Sequence, residues 1–443
     1  MVREGTAKNI KICFVAPYAY PLFEPSVQHI FGGAEVRAWL FARGLSKFEE
    51  YEVSLVVLDH GQSEVEERDR VKLYRHSYYK AYPPYPRNFW RKQLASIRIM
   101  KAFPFVEMKP LYGGMNWKSS FGILLSTGSK RLERLRSLNR KTLRIEGYRI
   151  LPKRVETYQE INADVYCAFG ASDLAAELAA FCSRSGKKFV LFGSNDEDFS
   201  ELYTPKSRAK NAYGSRGFLC HYAITRANLI VAQTQKQLEL LRQRFKREGA
   251  ILYSPIDLHS RVDREIAGSL FALWVGKSDQ VKRPEILLEL ACQMQELKFV
   301  MVLNRVDQRQ FEEVMSQKPA NVQIYERVRF QEMERLFKEA GVLVNTSIFE
   351  GFPYTFLQAG KFGVPILSLE VDPDGFIQRY HCGKVAMGNK ARLLEGLQEW
   401  IGNPDLWRTY SKNIRDYVES RHELNLVVRQ LDGLFKEIMK DAA

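Results

Sequence analysis

The chain has 443 residues, of which 45% are hydrophobic and 27% charged, and its formal net charge is +14 at pH 7. This composition is typical of a globular protein of two to three domains and excludes a disordered chain. No apolar run reaches the ~18 residues that a membrane span needs, and the six scattered cysteines contain no CxxC pair, which argues against a zinc site and fits reduced thiols in a cytosol.

Short apolar runs, each bounded by turn residues, recur along the chain. Because most of them show no polar alternation, they predict strands that are covered on both faces, as in parallel sheets. The predicted strands of the first half are 11–17, 51–59, 164–170, 187–193, 229–233 and 251–255, and those of the second half are 271–276, 298–303, 322–326, 342–347, 365–369 and 384–388.

Between these runs lie segments with apolar residues at i, i+3 and i+4, such as AEVRAWLFARGLSKF and PEILLELACQMQE. Strands that alternate with helices predict βαβ units and an α/β fold. Twelve strands are too many for one sheet, and the segment around 254–269 is polar and lacks periodicity. We therefore expect two Rossmann-like domains, 1–255 and 256–414, with a C-terminal helix over 415–443 that packs back on the first domain.

A basic, aromatic-rich insertion interrupts the first half over about 60–160. Between Ala81 and Glu156 there are 17 Lys and Arg against 4 Asp and Glu, which is nearly all of the net positive charge. A positive electrostatic field concentrated in one segment attracts nucleic acid, anionic lipid or phosphorylated substrates. The alternative is a solvated basic face of a helix.

Loops that follow the carboxyl ends of parallel strands hold the ligands of such sheets. Gly32 and Gly33 precede a helix whose N-terminus favours an anion, or they form a plain turn. Lys277 and Lys282 flank the loop after strand 271–276, where a helix starts near Pro284. Two ammonium groups at such a place predict a phosphate site, although they are also explained as two exposed lysines.

A third loop, after strand 342–347, runs through Glu350, Gly351, Phe352 and Pro353 into a helix. Glu350 follows the end of the strand, where its carboxylate can accept hydrogen bonds from hydroxyl groups. The amides of Gly351 and of residues 354–356 are expected to be free and to point into the cleft. Gln358 lies two helical turns further on, within reach of a second polar group. A carboxylate before a bare helix N-terminus is also a routine cap.

Two pairs of aspartates are candidate metal ligands: Asp196 with Asp198, and Asp372 with Asp374. Mg²⁺ or Mn²⁺ would need such carboxylates together with a substrate phosphate. Because aspartates are common in turns, we expect no metal at either pair. The absence of GxSxG and P-loop strings argues against a hydrolase.

Several of these strings resemble family 4 (group 1) glycosyltransferases. GKSDQVKRPE, VLVNTSIFEGFPYTFLQAGKFGVPILSL and VDPDGFIQRYHCGKVA are similar to the family's C-terminal half, and FVAPYAYP, FGGAE, ANLIVAQTQKQLELL and YSPID to parts of its N-terminal half. The resemblance covers about 10–58 and 160–415. It implies a GT-B fold, two Rossmann-like domains facing a cleft, and transfer with retention of configuration without an essential metal or other cofactor.

The resemblance also implies roles for single residues. Lys277, in place of the usual Arg, and Lys282 match the basic pair on the donor diphosphate. Glu350 matches the first Glu of the E-x7-E motif, which contacts the donor sugar, and Gln358 stands at the second, which holds the ribose. The loop GSNDEDF lacks the His of many relatives, so Asp196 is the candidate near the reacting centre. The implied donor-binding residues are Gly33, Lys277, Lys282, Gly351, Phe352, Pro353, Tyr354, Thr355 and Gln358.

The sequence thus predicts a cytoplasmic enzyme, peripheral on the inner face of the membrane. It would move a hexose from a nucleoside-diphosphate sugar to a saccharide or lipid-linked acceptor in polysaccharide or glycoconjugate synthesis, without a nucleic-acid partner. Three alternatives stay open: a sugar-nucleotide epimerase on the same fold, a non-catalytic nucleic-acid binder that uses residues 81–156, and a transferase inactivated by changes such as Gln358.

Overall fold

The computed structural model describes residues 9–27, 31–76, 143–145, 148–150, 155–259 and 271–440. These residues form two α/β domains, each built on a mainly parallel sheet. Apolar clusters cover both faces of each sheet. In β1, for example, Ile12 and Phe14 point to one cluster and Cys13 and Val15 to the other, which explains why the strand shows no polar alternation.

The first domain contains β1 (Ile10–Val15), α1 (Gly33–Leu45), β2 (Tyr51–Leu58), β3 (Val65–Arg68), β4 (Val71–His76), β5 (Leu143–Ile145), β6 (Tyr148–Ile150), α2 (Val155–Ile161), β7 (Val165–Phe169), α3 (Asp173–Ser185), β8 (Lys188–Phe192), α4 (Gly217–Arg226), β9 (Leu229–Ala232), α5 (Gln235–Phe245) and β10 (Ala250–Ile251). The sheet order is β10-β9-β8-β7-β1-β2-β4-β3, with β3 antiparallel to β4. Strands β5 and β6 form a separate hairpin.

The second domain contains β11 (Phe271–Lys277), α6 (Pro284–Gln293), β12 (Phe299–Asn304), α7 (Gln308–Ser316), β13 (Val322–Tyr325), α8 (Phe330–Glu339), β14 (Ala340–Asn345), α9 (Tyr354–Lys361), β15 (Ile366–Ser368), α10 (Phe376–Arg379), β16 (Gly383–Val385) and α11 (Lys390–Gly402). Helices α12 (Pro404–His422) and α13 (Leu424–Lys440) end the described chain. The sheet order is β13-β12-β11-β14-β15-β16, and all the pairings are parallel. The predicted fold class of two Rossmann-like domains is confirmed.

The first sheet extends into the region assigned to the insertion. β3 and β4 pair with each other and β4 pairs with β2, so residues 65–76 belong to the sheet. The predicted start of the insertion at about residue 60 is therefore wrong. Apart from β5, β6 and the start of α2, the basic segment between Ala81 and Glu156 lies outside the described residues.

The chain crosses between the domains at two adjacent places. The amide of Ile256 donates to the carbonyl of His422 (2.7 Å), and the amide of Leu424 donates to the carbonyl of Ile256 (3.0 Å). After the second crossing, α13 packs on α1, where Val428 lies against Gly44. Among the described helices, none combines the length and the apolar character needed to cross a membrane.

Candidate active site between the two sheets

Two loops at the carboxyl edge of the second sheet are tied together by hydrogen bonds. The Thr346 hydroxyl donates to the carbonyl of Lys282 (2.6 Å) and accepts from the indole N–H of Trp274 (2.8 Å). Arg283 donates through Nε to the carbonyl of Thr346 (2.7 Å) and pairs with Glu370 (2.8 Å). The loop after β11 and the loop after β14 therefore form one unit. The sequence analysis missed Thr346 and Arg283, the two residues whose hydrogen bonds connect these loops.

This unit brings two predicted site residues into contact. The Lys282 ammonium forms an ion pair with Oε1 of Glu350, which also accepts a hydrogen bond from the Ser347 hydroxyl (2.9 Å). The two side chains are 23% and 17% exposed. Lys277 ends β11 and has no ion-pair partner among the residues that the structure describes. Ammonium groups at this edge are suited to phosphate oxygens, and a carboxylate is suited to hydroxyl groups.

The remaining residues of this loop support the start of α9. Phe352 is buried, with its ring centroid 5.1 Å from Phe376 and 4.9 Å from His422. Pro353 precedes the helix, and its carbonyl accepts the amide of Phe356 (3.0 Å). The prediction that the amide of Phe356 is free is therefore wrong. The first residues of α9 are Tyr354 and Thr355, both half-buried.

Asp196 and Asp198, which follow β8 in the first domain, have different environments. Asp198 is buried and accepts the amides of Ala171 (2.8 Å), Ser194 (2.6 Å) and Asn195 (3.0 Å), so it holds the loop in shape. Burial raises the pKa of Asp198 to about 6, against the lowering effect of these hydrogen bonds. Asp196 is mostly buried and pairs with the ammonium of Lys236 (2.7 Å).

A buried arginine lies beneath the same loop. Arg37 of α1 is 3% exposed and donates through Nη1 to the carbonyl of Gly193 (2.9 Å), while its Nε and Nη2 have no hydrogen-bond partner among the described residues. Its guanidinium lies 5.6 Å from the ring centroid of Phe169. Burial lowers the pKa of Arg37 to about 9, and the charge of Asp198 opposes this effect. The sequence analysis missed Arg37, because an arginine within an amphipathic helix is usually exposed.

The second aspartate pair caps two helices. Asp372 accepts the amide of Ile377 at α10 (2.8 Å). Asp374 accepts the amides of Gln235 (2.7 Å) and Lys236 (3.2 Å), so a carboxylate of the second domain caps α5 of the first. Within the described parts of the chain, no three His, Cys, Asp or Glu side chains are grouped so as to hold a metal ion.

The two domains also touch through glycines. A Cβ built on Gly33, at the start of α1, would lie 3.0 Å from the Cβ of Tyr354. A Cβ on Gly351 would overlap the carbonyl oxygen of Ser194 and lie 3.0 Å from Nε2 of Gln237. The backbone at Gly33 is thus approached closely by a side chain of the other domain. Gly32 precedes the helix, and its amide donates to the Glu35 carboxylate (2.8 Å).

Gln358 faces a cavity of about 350 Å³ between α1 and α9. Val36 and Leu40 of α1 and Tyr354 of α9 line it, together with the Arg43–Asp257 and Lys361–Glu334 ion pairs. The residues around this cavity do not include Lys277, Lys282 or Glu350. The structure therefore brings Gln358 together with Tyr354, and Lys282 together with Glu350.

Comparisons with known proteins agree with this architecture. Residues 271–403 match the family model described as Glycosyl transferases group 1. Sucrose-phosphate synthase from Thermosynechococcus elongatus aligns with a TM-score of 0.66 at 14% identity, over 98% of this chain and 100% of that one. S. aureus TarM, solved with fondaparinux, alpha-GlcNAc-glycerol and UDP, aligns with a TM-score of 0.63 at 11% identity, over 96% and 99%. A glycosyltransferase from Rickettsia africae gives 0.55 at 13% identity, over 98% and 99%.

A search of curated protein sequences finds no match. The three structures share the fold with this chain, and at these identities they show the fold alone. The family match confirms the resemblance to group 1 glycosyltransferases for the second domain. The chain thus has the GT-B fold, and the match of residues 271–403 to the group 1 model supports glycosyl transfer as its chemistry.

Proposed function

We propose that the protein transfers a sugar from a nucleoside diphosphate to a saccharide or lipid-linked acceptor, with retention of configuration and without a metal. The observation that carries the proposal is the contact between Lys282 and Glu350 at the carboxyl edge of the second sheet. Open α/β sheets bind their ligands at this edge. The same place offers a cation for the diphosphate and an acceptor for sugar hydroxyls.

On this proposal, the leaving diphosphate is stabilised by fixed charge. Lys282 is held by the bond between its carbonyl and Thr346, and Lys277 lies at the other end of the same loop. Negative charge grows on the diphosphate as the glycosidic bond breaks, and ammonium groups already in place stabilise it without reorganisation. In other enzymes a divalent metal does this work. Here Asp198, Asp372 and Asp374 are occupied with backbone amides, which supports metal-independent transfer.

Glu350 would orient the donor sugar. Ser347 donates to the same carboxylate oxygen as Lys282, so the position of the carboxylate is fixed before the sugar arrives. Sugar hydroxyls would bond to the remaining acceptor positions of Glu350. Fixed orientation of this kind lowers the entropic part of the barrier. On the acceptor side, Asp196 and its partner Lys236 would supply polar contacts near the reacting centre.

The acceptor would be a saccharide or a lipid-linked sugar, used in polysaccharide or glycoconjugate synthesis. The excess of Lys and Arg between Ala81 and Glu156, with aromatic residues interleaved, supports docking on the anionic inner surface of a membrane. The enzyme would then be cytoplasmic and peripheral. This part of the proposal depends on the sequence alone.

The deciding experiment is a thermal-shift screen against a panel of nucleoside diphosphates and their sugars, starting with UDP, with which TarM was solved. A ligand at 100 times its dissociation constant should add about 2.7 kcal/mol of stability. Release of the free diphosphate should then require an acceptor. Donor turnover without any acceptor would favour an epimerase. Salt-sensitive binding to DNA or RNA, with no response to sugar nucleotides, would favour a nucleic-acid binder.

A further inference from the structure

The segment between the turn that carries Asp196 and helix α4 contains an uncompensated group of cations. Lys206, Arg208 and Lys210 are exposed, and none has an ion-pair or hydrogen-bond partner for its side chain in the described structure. Residues 202–216 contain no Asp or Glu. We call residues 204–216 the basic loop. Its three free charges are available for an external anion.

The backbone of the basic loop is held without using these cations. The amides of Gly217 and Phe218 donate to the carbonyls of Ala209 (2.7 Å) and Ser207 (3.2 Å). The side-chain oxygen of Asn211 accepts the amides of Tyr213 (3.0 Å) and Ser215 (2.9 Å). These bonds fix the path of the loop, so less conformational entropy is lost when it binds a ligand.

The loop lies at the edge of the first sheet where the site lies. It follows β8 and the turn with Asp196, and the amide of Arg216 bonds to Asp173 at the N-terminal end of α3 (2.9 Å). Because α3 follows the carboxyl end of β7, this bond anchors the loop at the carboxyl edge. The loop is therefore anchored at the same edge of the first sheet as the turn with Asp196, whereas Lys277 and Lys282 stand in the other domain.

Tyr213 supplies the basic loop with an exposed aromatic ring. The residue is 72% exposed as a whole. Desolvation of its hydroxyl, followed by the charges of Asp198, Glu350 and Asp279, raises the pKa of Tyr213 to about 12. The ring of Tyr213 is exposed on the basic loop and is available to stack against a sugar.

We propose that the basic loop binds a phosphate group of the acceptor, so that the enzyme is specific for phosphorylated acceptors. This inference rests on the proposed function. Three cations without a carboxylate among them favour a dianionic group over a neutral sugar. The phosphate would be a monoester of a soluble sugar or the phosphate of a polyprenyl carrier, since both present the same oxygens.

The test compares two triple variants of the whole protein. The first changes Lys206, Arg208 and Lys210 to Gln. The control changes three exposed cations of the same domain that also lack partners within the described chain: Lys47, Lys72 and Arg184. The probes are glucose 6-phosphate and glucose, followed by calorimetry, and phosphatidylcholine vesicles with and without polyprenyl phosphate, followed by co-sedimentation.

We expect the wild type and the control to bind a phosphate-bearing probe and the loop variant to bind it about tenfold more weakly, with a difference that shrinks at high salt. Binding to glucose 6-phosphate identifies a soluble acceptor, and binding only to polyprenyl phosphate vesicles identifies a lipid carrier. Equal affinity in both variants, or no binding of either phosphate by the wild type, would overturn the proposal.

UDP affinity, measured on the same samples, separates this inference from the proposed function. A loss of UDP affinity as large as the loss of phosphate affinity would assign the loop to the donor and overturn the acceptor site. If the wild type neither binds nor turns over any sugar nucleotide, the proposed function fails, whatever the vesicles and glucose 6-phosphate show.

Discussion

Gly351 of the second domain lies so close to the carbonyl oxygen of Ser194 in the first domain that no side chain fits between them. The position of its Cβ would also be only 3.0 Å from the Cα of Asn195. Gly351 follows Glu350 directly, and Asn195 precedes Asp196. The two loops that carry the proposed catalytic residues therefore approach each other closely across the domains.

Gly351→Ala should hinder closure of the domains, because the added methyl group meets a backbone oxygen that cannot move aside as a flexible side chain can. We expect turnover to fall by about tenfold or more, since closure completes such sites, while UDP binding to the second domain is largely kept. Steady-state kinetics and small-angle scattering with UDP measure the two effects. The matched control is Gly402→Ala, where a Cβ meets nothing within 4 Å. Wild-type turnover in Gly351→Ala would show that the contact is not needed.

Glu350→Ala should reduce turnover far more than it reduces stability. The side chains of the ion pair with Lys282 are only 23% and 17% exposed, so its loss costs roughly 1.5–3 kcal/mol of folding free energy. The carboxylate that orients the sugar is lost completely. Turnover with a verified donor and the free energy of unfolding measure the two quantities. Glu399→Ala, which removes a surface ion pair with Lys384, is the control. Activity within about twofold of the wild type would show that Glu350 only caps the N-terminus of the following helix.

Lys282→Ala should weaken the binding of nucleoside diphosphates about ten- to hundredfold, because a hydrogen bond to a charged group contributes roughly 1.5–3 kcal/mol. Lys277→Ala should act in the same direction. Titration calorimetry with UDP tests both variants, and Lys384→Ala, on the surface of the same domain, serves as the control. Unchanged affinity in both variants would remove these lysines from the donor site.

EDTA should leave turnover nearly unchanged, because the proposed mechanism places fixed cations on the diphosphate. The measurement is the initial rate in chelator compared with the rate in added Mg²⁺ or Mn²⁺. Complete inhibition that either ion reverses would contradict the proposal and make Asp196 a candidate metal ligand, since its carboxylate is the one of the four paired with a side chain rather than with backbone amides.

The sequence predicts the fold well because the central strands are apolar on both faces. β3 and β4 escaped prediction because VEER and VKLYRH mix charged with apolar residues, as edge strands do. The rule that ligands bind at the carboxyl ends of strands selected Lys282 and Glu350, although they are 68 positions apart. Contacts across the domains, such as Asp374 with Gln235, depend on how two separate units pack, and no local pattern encodes that.

Stability should depend on His422 below neutral pH. His422 is fully buried, and burial lowers its pKa to about 4 from 6.5. The unfolded chain therefore binds the proton first, so stability is lost as the pH falls from about 6.5 to about 4, by up to about 3 kcal/mol. His422→Asn should lose less over this window. Asp198, whose raised pKa has the opposite effect there, acts equally in both proteins.

Urea unfolding at several pH values measures the difference, and the exposed His381→Asn is the control. The expected result is a shallower pH dependence in His422→Asn than in the wild type or the control. Parallel curves for all three proteins would show that His422 does not couple protonation to unfolding.

The basic segment between Ala81 and Glu156 should attach the protein to anionic vesicles but not to neutral ones, and high salt should release it. Each engaged cation contributes about 1 kcal/mol near such a surface. Liposome co-sedimentation tests this. Changing Arg131, Arg134, Arg136, Arg140 and Lys141 together to Gln should reduce binding. Equal binding to both kinds of vesicle, or wild-type sedimentation of the fivefold variant, would contradict it.

Because α13 packs on the first domain, that domain cannot complete its fold until α13 has been synthesised. Leu431 and Phe435 are fully buried in the same cluster as Phe14 and Phe41, which are made at the other end of the chain. While the protein is being translated, the part of that apolar cluster that α13 covers stays exposed until α13 leaves the ribosome. A fragment that stops at residue 255 would keep this apolar patch exposed, and exposed apolar surface of this kind favours aggregation.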